Sequence, residues 1–432
     1  MNQILTPLEQ EAVRCLEAHR DDLFHMLVQL VRHDTQNFGS DGREAALAPF
    51  LEHAYRELGL ETEVYCPDEV DGLTDSPLYW PGHHTDRRPN VTGIRWGRDR
   101  ERRIMLAAHT DTMPAGDPSA WSRPPFEGVV ENGRIYGLGA CDDKFGIAGS
   151  WWALKVLDLL GIRLDRTVVL TAYCDEEFGG GNGALAACLK YPCDTYVNLD
   201  GGNYEMWAAA LGGGCFRLRL HRGCVSDDCM AVYRVLAAFM EELDAFGRRR
   251  REELDRNPFY RGTATAQSAF RVGSVGCVGD AHTDAEVFFV VYTDRTRGEI
   301  EAELDQIVRK LEPVMDAAQV TTGGFEAASR FFRYGRTDRT HPAFQTMHAC
   351  AEAAAGRPVP VCGSCLTDLS VFFEAGGTDS SFNFGILRDF SLPGGAHQPD
   401  EYADCTEFMN FTKALLLFLL RYGGAGEGAA AP

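Results

Sequence analysis

The chain has 432 residues, a formal charge of −21, 45% hydrophobic and 24% charged residues. That is the balance of a globular protein longer than one core usually fills, and the acidic excess argues against nucleic acid or an anionic membrane surface as partner. The amino end MNQILTPLEQEAVRCLEAHR has no basic stretch leading into an apolar core, and no apolar run approaches the roughly 18 residues of a membrane span. The fourteen cysteines are therefore expected as small, reduced, buried side chains of a cytoplasmic protein.

Residues from about 7 to 35 place Leu16, Leu23, Leu27, Leu30 and Val31 at helical spacing. A second helical stretch, GREAALAPFLEHAYRELG, ends at Gly59. LETEVYC alternates as a strand does. NVTGIRWG and RRIMLAAHTD read as further strands, the second nearly all apolar and so central. A helix from about Phe145 to Leu160 leads to RTVVLTAYCDEE, a buried strand ending in acids. GGNGALAACLKY then reads as a helix and DTYVNLDGG as a short strand. This alternation predicts an α/β domain with a largely parallel mixed sheet flanked by helices. In such sheets ligands bind at the carboxyl ends of strands. His109, Asp111, Glu176, Glu177 and Asp200 all follow predicted strand ends.

From GGGCFRLRLHRG the texture changes. An amphipathic helix, about Asp227 to Leu254, carries the run Arg248–Arg251, expected as a solvated face pairing with Glu252 and Glu253. TATAQSAFRVGSV and DAEVFFVVYTDR alternate as strands, and RGEIEAELDQIVRKLEPVM forms a second helix. Together they describe an inserted α+β module. From THPAFQTMHACAEAAAGRP onward the α/β style returns, with SFNFGI as a strand and FMNFTKALLLFLLRYGG as the closing helix. The expected boundaries are 1–212 and 336–432 for the larger domain and 213–335 for the insert, with a low-complexity tail fraying from about 423.

Five segments carry chemistry: HTD (His109, Asp111), CDDK (Asp142, Asp143, Lys144), CDEE (Asp175, Glu176, Glu177), NLDGG (Asp200) and AHQPDEY (His397, Asp400, Glu401). Alone, each has an ordinary explanation: a strand end, a helix N-cap, a solvated acidic turn. Together, two imidazoles and several carboxylates are what a pair of divalent ions requires. Amide hydrolysis also needs a carboxylate that is not a ligand, to move the proton from water to the leaving amine. Adjacent Glu176 and Glu177 can divide those tasks. A ligating histidine commonly donates its second ring N–H to an acid, and Asp111, two residues on, returns to the side of His109. Cys362-Gly-Ser-Cys365 lacks the second pair a zinc knuckle would need.

In this order the motifs resemble those of the M20 family of co-catalytic metallopeptidases: HxD, a Trp, a P-F segment, GxGxxDxK, DEE, a lone acid and a late His. Here they read HTDTMPAG, Trp121, PPFEG, GLGACDDKFG, DEEFGG, Asp200 and AHQPDEY, across almost the whole chain. The resemblance implies His109 and Asp200 on one ion, Glu177 and His397 on the other, and Asp142 bridging them. It implies Glu176 as general base and Asp111 as the group that orients His109. The cofactors it implies are two divalent ions, zinc first, with cobalt or manganese as alternatives. The insert becomes a lid or dimerisation domain, with a homodimer through 213–335. The substrate becomes a small peptide, cleaved by a water held at the ion pair.

In that family an aspartate at the position of Asp200 accompanies aminopeptidases and dipeptidases, and a glutamate accompanies carboxypeptidases and deacylases. The expected activity is therefore on a peptide with a free amino end. The alternatives are an N-acyl amino acid deacylase or carboxypeptidase, and a non-catalytic scaffold retaining the fold. An HS-x-x-P segment that relatives carry early in the lid is missing from RLHRGCVSDDCMAVYRVL. Its carbonyl-polarising histidine is then sought in His282, in a loop, or His221. Thr367-Asp368 fits the family's late [ST]-D segment near the site, and Thr378-Asp379 competes with it. His83-His84 reads as surface or cleft rim in a Pro/Gly-bounded loop.

Overall fold

The structure is a computed structural model that describes residues 5–223, 228, 230–278, 284–376 and 379–425. The chain forms two compact units, one of Met1–Ala208, Arg336–Cys362 and Val371–Pro432, the other of Ala209–Gly335 and Gly363–Ser370.

The first unit is organised by the strand Asp99–His109. It lies parallel to Arg166–Tyr173 on one side, His109 opposite Tyr173, and to Thr195–Asn198 on the other, Ala107 opposite Asn198. Ser381–Phe384 continues the parallel run beside Thr195–Asn198. Outside this centre the pairings are antiparallel: Glu61–Tyr65 with Asn90–Arg95, Asn90–Arg95 with Arg166–Tyr173, and Ser381–Phe384 with Met206–Ala210. Ile104 to His109 and Thr167 to Tyr173 are buried without interruption, the pattern of strands covered on both faces. The helices Lys144–Leu159, Pro342–Ala355 and Cys405–Arg421 supply cover, and Phe145 packs edge-on to Phe411. The parallel strands thus end together at His109, Tyr173 and Asn198.

Four local expectations are corrected. The first helical stretch is two helices, Pro7–Ala18 and Arg20–Val31. The His19 ring lies 2.8 Å from the Cys15 carbonyl, and the His19 backbone N–H turns to Leu16 instead. A side chain that captures a helix carbonyl interrupts the ladder. The second stretch holds a single 3₁₀ turn, Glu44–Ala46, and then Ala48–Glu57. Pro49 has no N–H to donate and so is tolerated only in a first turn. TATAQSAFRVGSV is not one strand: Ala264–Gln267 is a helical turn capped by Thr263, and the strand begins at Phe270. At the carboxyl end, Gly423 and Gly424 accept from the Asp165 N–H and Ala425 bridges Leu164, so pairing continues past 423.

The second unit is a four-stranded antiparallel sheet ordered Phe270–Val278, Asp284–Thr293, Gly212–His221, Thr321–Ala327. Alternate residues Ala285, Val287, Phe289 and Val291 are buried with Phe216, Leu218 and Leu220 against Phe239 and Leu243 of helix Ala231–Leu254 and Ile300 and Leu304 of helix Arg297–Ala318. One covered face accounts for the period-two pattern. The arginine run is not a uniform solvated face. Arg250 is buried, stacked on Phe246 and paired with Glu253 and Glu303. No helix among the described residues is long and apolar enough to cross a membrane.

Candidate metal centre

The end of the central strand and four loops bring five of the sequence-predicted residues into one cluster, all within the first unit. His109 ends the central strand and is fully buried. Its Nε2 lies 3.0 Å from Asp142 Oδ1, and the other carboxylate oxygen of Asp142 lies 3.0 Å from His397 Nε2. Glu177 reaches the same His397 nitrogen at 3.0 Å. His109, Asp142 and Asp200 present ligand atoms within 4.8 Å of one another, and so do Asp142, Glu177 and His397. Asp142 belongs to both sets.

The donor chemistry fits two cations. Each set offers one imidazole nitrogen and carboxylate oxygens, the mixture borderline ions such as zinc accept. Three buried carboxylates beside two imidazoles need compensating positive charge. Without ions that charge comes from protons. Burial alone would lower both histidines, but Asp111 and Asp142 hold His109 well above the usual imidazole range, and Glu177 and Asp142 push His397 up to about 12. Divalent ions would take the place of those protons.

Around the cluster the backbone is held in place. His109 Nδ1 lies 2.9 Å from the Asp111 carbonyl oxygen and 3.6 Å from its carboxylate. The closer partner of the ring is thus the main chain of Asp111. The carboxylate of Asp111 mainly accepts elsewhere: from Asn37 Nδ2 at 2.8 Å, the Glu176 N–H at 3.1 Å and the Glu177 N–H at 3.0 Å. Burial would raise this acid, but His109, Arg88 and Asn37 hold it well below the carboxylate range. Glu176 is half-buried beside it. Phe178 follows at φ 59° and stands 43% exposed, a left-handed conformation rare for so bulky a residue. Lys144 is buried, donates from Nζ to the His33 carbonyl, and burial lowers it to about 8. Asp400 accepts from the Ser122 N–H and hydroxyl, and Glu401 from the Cys141 N–H, tying the late loop to the neighbours of Trp121 and Asp142.

The remaining candidates lie within their own units. His221 lies in the second unit, exposed, and pairs with Asp284. Thr367 and Asp368 are buried in the second unit, where the Thr367 hydroxyl accepts from the Leu369 N–H. His282 and Thr378 lie outside the described residues. Arg295 pairs with Glu303 and Glu253, and Arg271 donates to the Tyr292 hydroxyl. His83 is not a rim residue: it is buried, with Nδ1 2.7 Å from Asp175 Oδ1. Sequence reasoning missed Arg88, which donates to Asp175 and Glu44, and Asn37, which donates to Asp111; no motif marks Arg88, Glu44 or Asn37.

Glu44 carries a pH-dependent stability term. It is buried, accepts from Arg88 Nε, and its second oxygen has no hydrogen-bond partner among the described residues. Burial and the Asp111 charge push it up to about 7 from its ordinary 4.5, against the pull of Arg88. The folded state therefore binds this proton more tightly than the unfolded chain. Its stabilisation is complete at acid pH and is lost as pH rises through 7. In melting curves taken from about pH 5 to pH 8, Glu44→Gln is expected to show a flatter decline than the wild type. Parallel pH profiles would sink this assignment.

Residues 106 long within the chain are 38% identical to succinyl-diaminopimelate desuccinylase of Paracoccus denitrificans, spanning 24% of this chain and 28% of that protein. N-formyl-4-amino-5-aminomethyl-2-methylpyrimidine deformylase of Halalkalibacterium halodurans aligns over 364 residues at 24% identity, 77% of this chain and 83% of the other. In fold, a di-peptidase from Saccharomyces cerevisiae superposes with a TM-score of 0.72 at 14% identity, over 97% of this chain and 99% of its own. The pattern of peptidase family M20/M25/M40 matches residues 105–421, a span that takes in His109, Asp142, Glu177, Asp200 and His397, and the chain belongs to that family.

Proposed function

We propose that the protein is a di-metal amidohydrolase that cleaves the amide bond of a small peptide with a free amino end. The observation that carries this reading is the pair of three-residue ligand sets sharing Asp142. His109 and Asp200 serve one ion, Glu177 and His397 the other. Two divalent ions bound there, zinc foremost, supply charge that polarises a carbonyl oxygen and acidifies water. The chain supplies the rest. Glu176, outside both sets, accepts a proton from water and returns it to the leaving amine. The Asp111 carboxylate holds the Glu176 N–H, and the Asp111 carbonyl holds the His109 ring with Nε2 toward the cluster.

One observation favours a second reading, removal of an acyl group from an N-acyl amino acid: the likeness to the desuccinylase. A panel of dipeptides and their N-acylated counterparts, assayed with added zinc, separates the two. Asp200 supports turnover of the free-amino members. Turnover of the acylated members alone would replace the first reading by the second, and no turnover with no bound metal would leave a scaffold.

Residues 213–335 are proposed to carry dimerisation. The strand Phe270–Val278 is an outer strand of its sheet and exposes Val272 and Val275, an edge able to pair with a second copy. Light scattering is expected to give a dimer, and Val275→Lys a monomer. A monomeric wild type would overturn this.

A further inference from the structure

Beneath the Glu176–Glu177 turn lies a buried ion network that the proposed chemistry does not use. Arg88 is 1% exposed. Its Nη1 donates to Asp175 Oδ1 at 2.9 Å, its Nε and Nη2 donate to Glu44 Oε1 at 2.8 and 2.6 Å, and Nη2 lies 3.9 Å from Asp111 Oδ2. His83 Nδ1 meets the same oxygen of Asp175. One guanidinium therefore touches both the acid that precedes Glu176 and the acid that receives the Glu176 N–H. A planar fork of five donors can span three carboxylates; a lysine ammonium cannot do so in the same geometry. The packing leaves no slack. A Cβ on Gly42 would fall 2.6 Å from Arg88 Nε and 2.2 Å from Glu44 Oε2.

The turn needs such a clamp. Asp175 sits at φ 65°, a left-handed conformation that costs free energy and persists where the surroundings over-determine it. Its carbonyl accepts from the Gly181 N–H and its second carboxylate oxygen from the Asn182 N–H. Arg88 and His83 hold the remaining oxygen. With Asp175 fixed this way, the next two N–H groups point at Asp111.

We infer that Arg88, acting through Asp175 and Asp111 with His83 as a second clamp, is a positioning residue that sets the backbone of Glu176. The inference rests on the proposed role of Glu176 as base. A reacting group displaced by about 1 Å costs on the order of 10²-fold in rate, so a network touching no substrate still governs turnover.

The test uses the full chain reconstituted with zinc, as Asp175→Ala, Asp175→Asn and Arg88→Lys. The readouts are kcat, KM, zinc content and deuterium exchange at the Glu176 and Glu177 amides. Asp175→Ala and Arg88→Lys are expected to lower kcat about 10- to 10²-fold. KM should stay within roughly 3-fold, as for loss of a transition-state interaction alone. Zinc content should hold, and both amides should exchange faster. Asp175→Asn, whose side-chain oxygen still accepts from Arg88 and His83, should recover most of kcat and protection. Unchanged kcat, a fall that merely tracks lost zinc, unchanged amide exchange, or an asparagine variant no better than alanine would each overturn the inference. If Arg88→Lys does not fold, the two Asp175 variants decide. A wild type inactive on the whole panel would count against the proposed function alone, and the exchange data would still decide the positioning.

Discussion

Glu176→Gln is expected to lower kcat by at least ~10²-fold while leaving two zinc ions per chain and an unaltered melting temperature. Three features support so selective a loss. Glu176 belongs to neither ligand set, so its charge is not required to hold an ion. Its placement depends on its backbone N–H, received by Asp111, and glutamine keeps that N–H. It is half-buried, so the neutral amide brings no new buried charge. What glutamine lacks is an acceptor that can take up a proton and release it at working pH. The neighbouring substitution makes the control: Glu177→Gln removes a partner of His397 and should cost zinc as well as rate. Steady-state kinetics on the best dipeptide, with metal analysis on the same samples, checks both. Turnover within a few-fold of wild type in Glu176→Gln would remove this residue from the mechanism.

Much of the first unit could be read from residue order because its signals are local. An uninterrupted apolar run such as Ile104–Ala108 defines a central strand, and the acids and histidines that follow such runs lie where parallel strands end. The five residues of the ligand sets come from four loops and one strand end, yet each was marked by a short motif. The support beneath them was not. Arg88 lies 44 residues from Glu44 and 87 from Asp175, and Asn37 lies 74 from Asp111. No periodicity links such positions, and an arginine in RRPN reads as surface until three buried acids are found around it. His83 departs from its expected place for the same reason: a Pro/Gly-bounded loop predicts exposure, but a buried acid at Asp175 draws the ring inward. Asp111 shows a finer limit. Spacing brings it back to His109, but does not say that its carbonyl will be the nearer group to the ring and its carboxylate will serve the next loop.

Asp142→Asn is expected to reduce bound zinc from two ions to at most one per chain and to lower kcat/KM by more than ~10²-fold, since even residues behind the ligands of a metal site are worth 10–100-fold. The reason is the division of its carboxylate: Oδ1 faces His109 and Oδ2 faces His397, each at 3.0 Å. An amide offers one oxygen and one NH₂, and the NH₂ turns hydrogens, not a lone pair, toward whichever set it faces. The same change should appear in stability. A ligand that binds only the folded state adds about 2.7 kcal/mol when present at 100 times its dissociation constant. Zinc is therefore expected to raise the melting temperature of the wild type by several degrees, and a chelator to remove that gain. In Asp142→Asn the zinc-dependent gain should shrink by half or more, because one set has lost its anionic oxygen. The contrast separates bridging from simple ligation: Asp200→Asn touches one set only and should leave the Asp142–Glu177–His397 ion in place. Two tightly held zinc ions and an undiminished thermal shift in Asp142→Asn would show that the sets do not depend on the carboxylate they share.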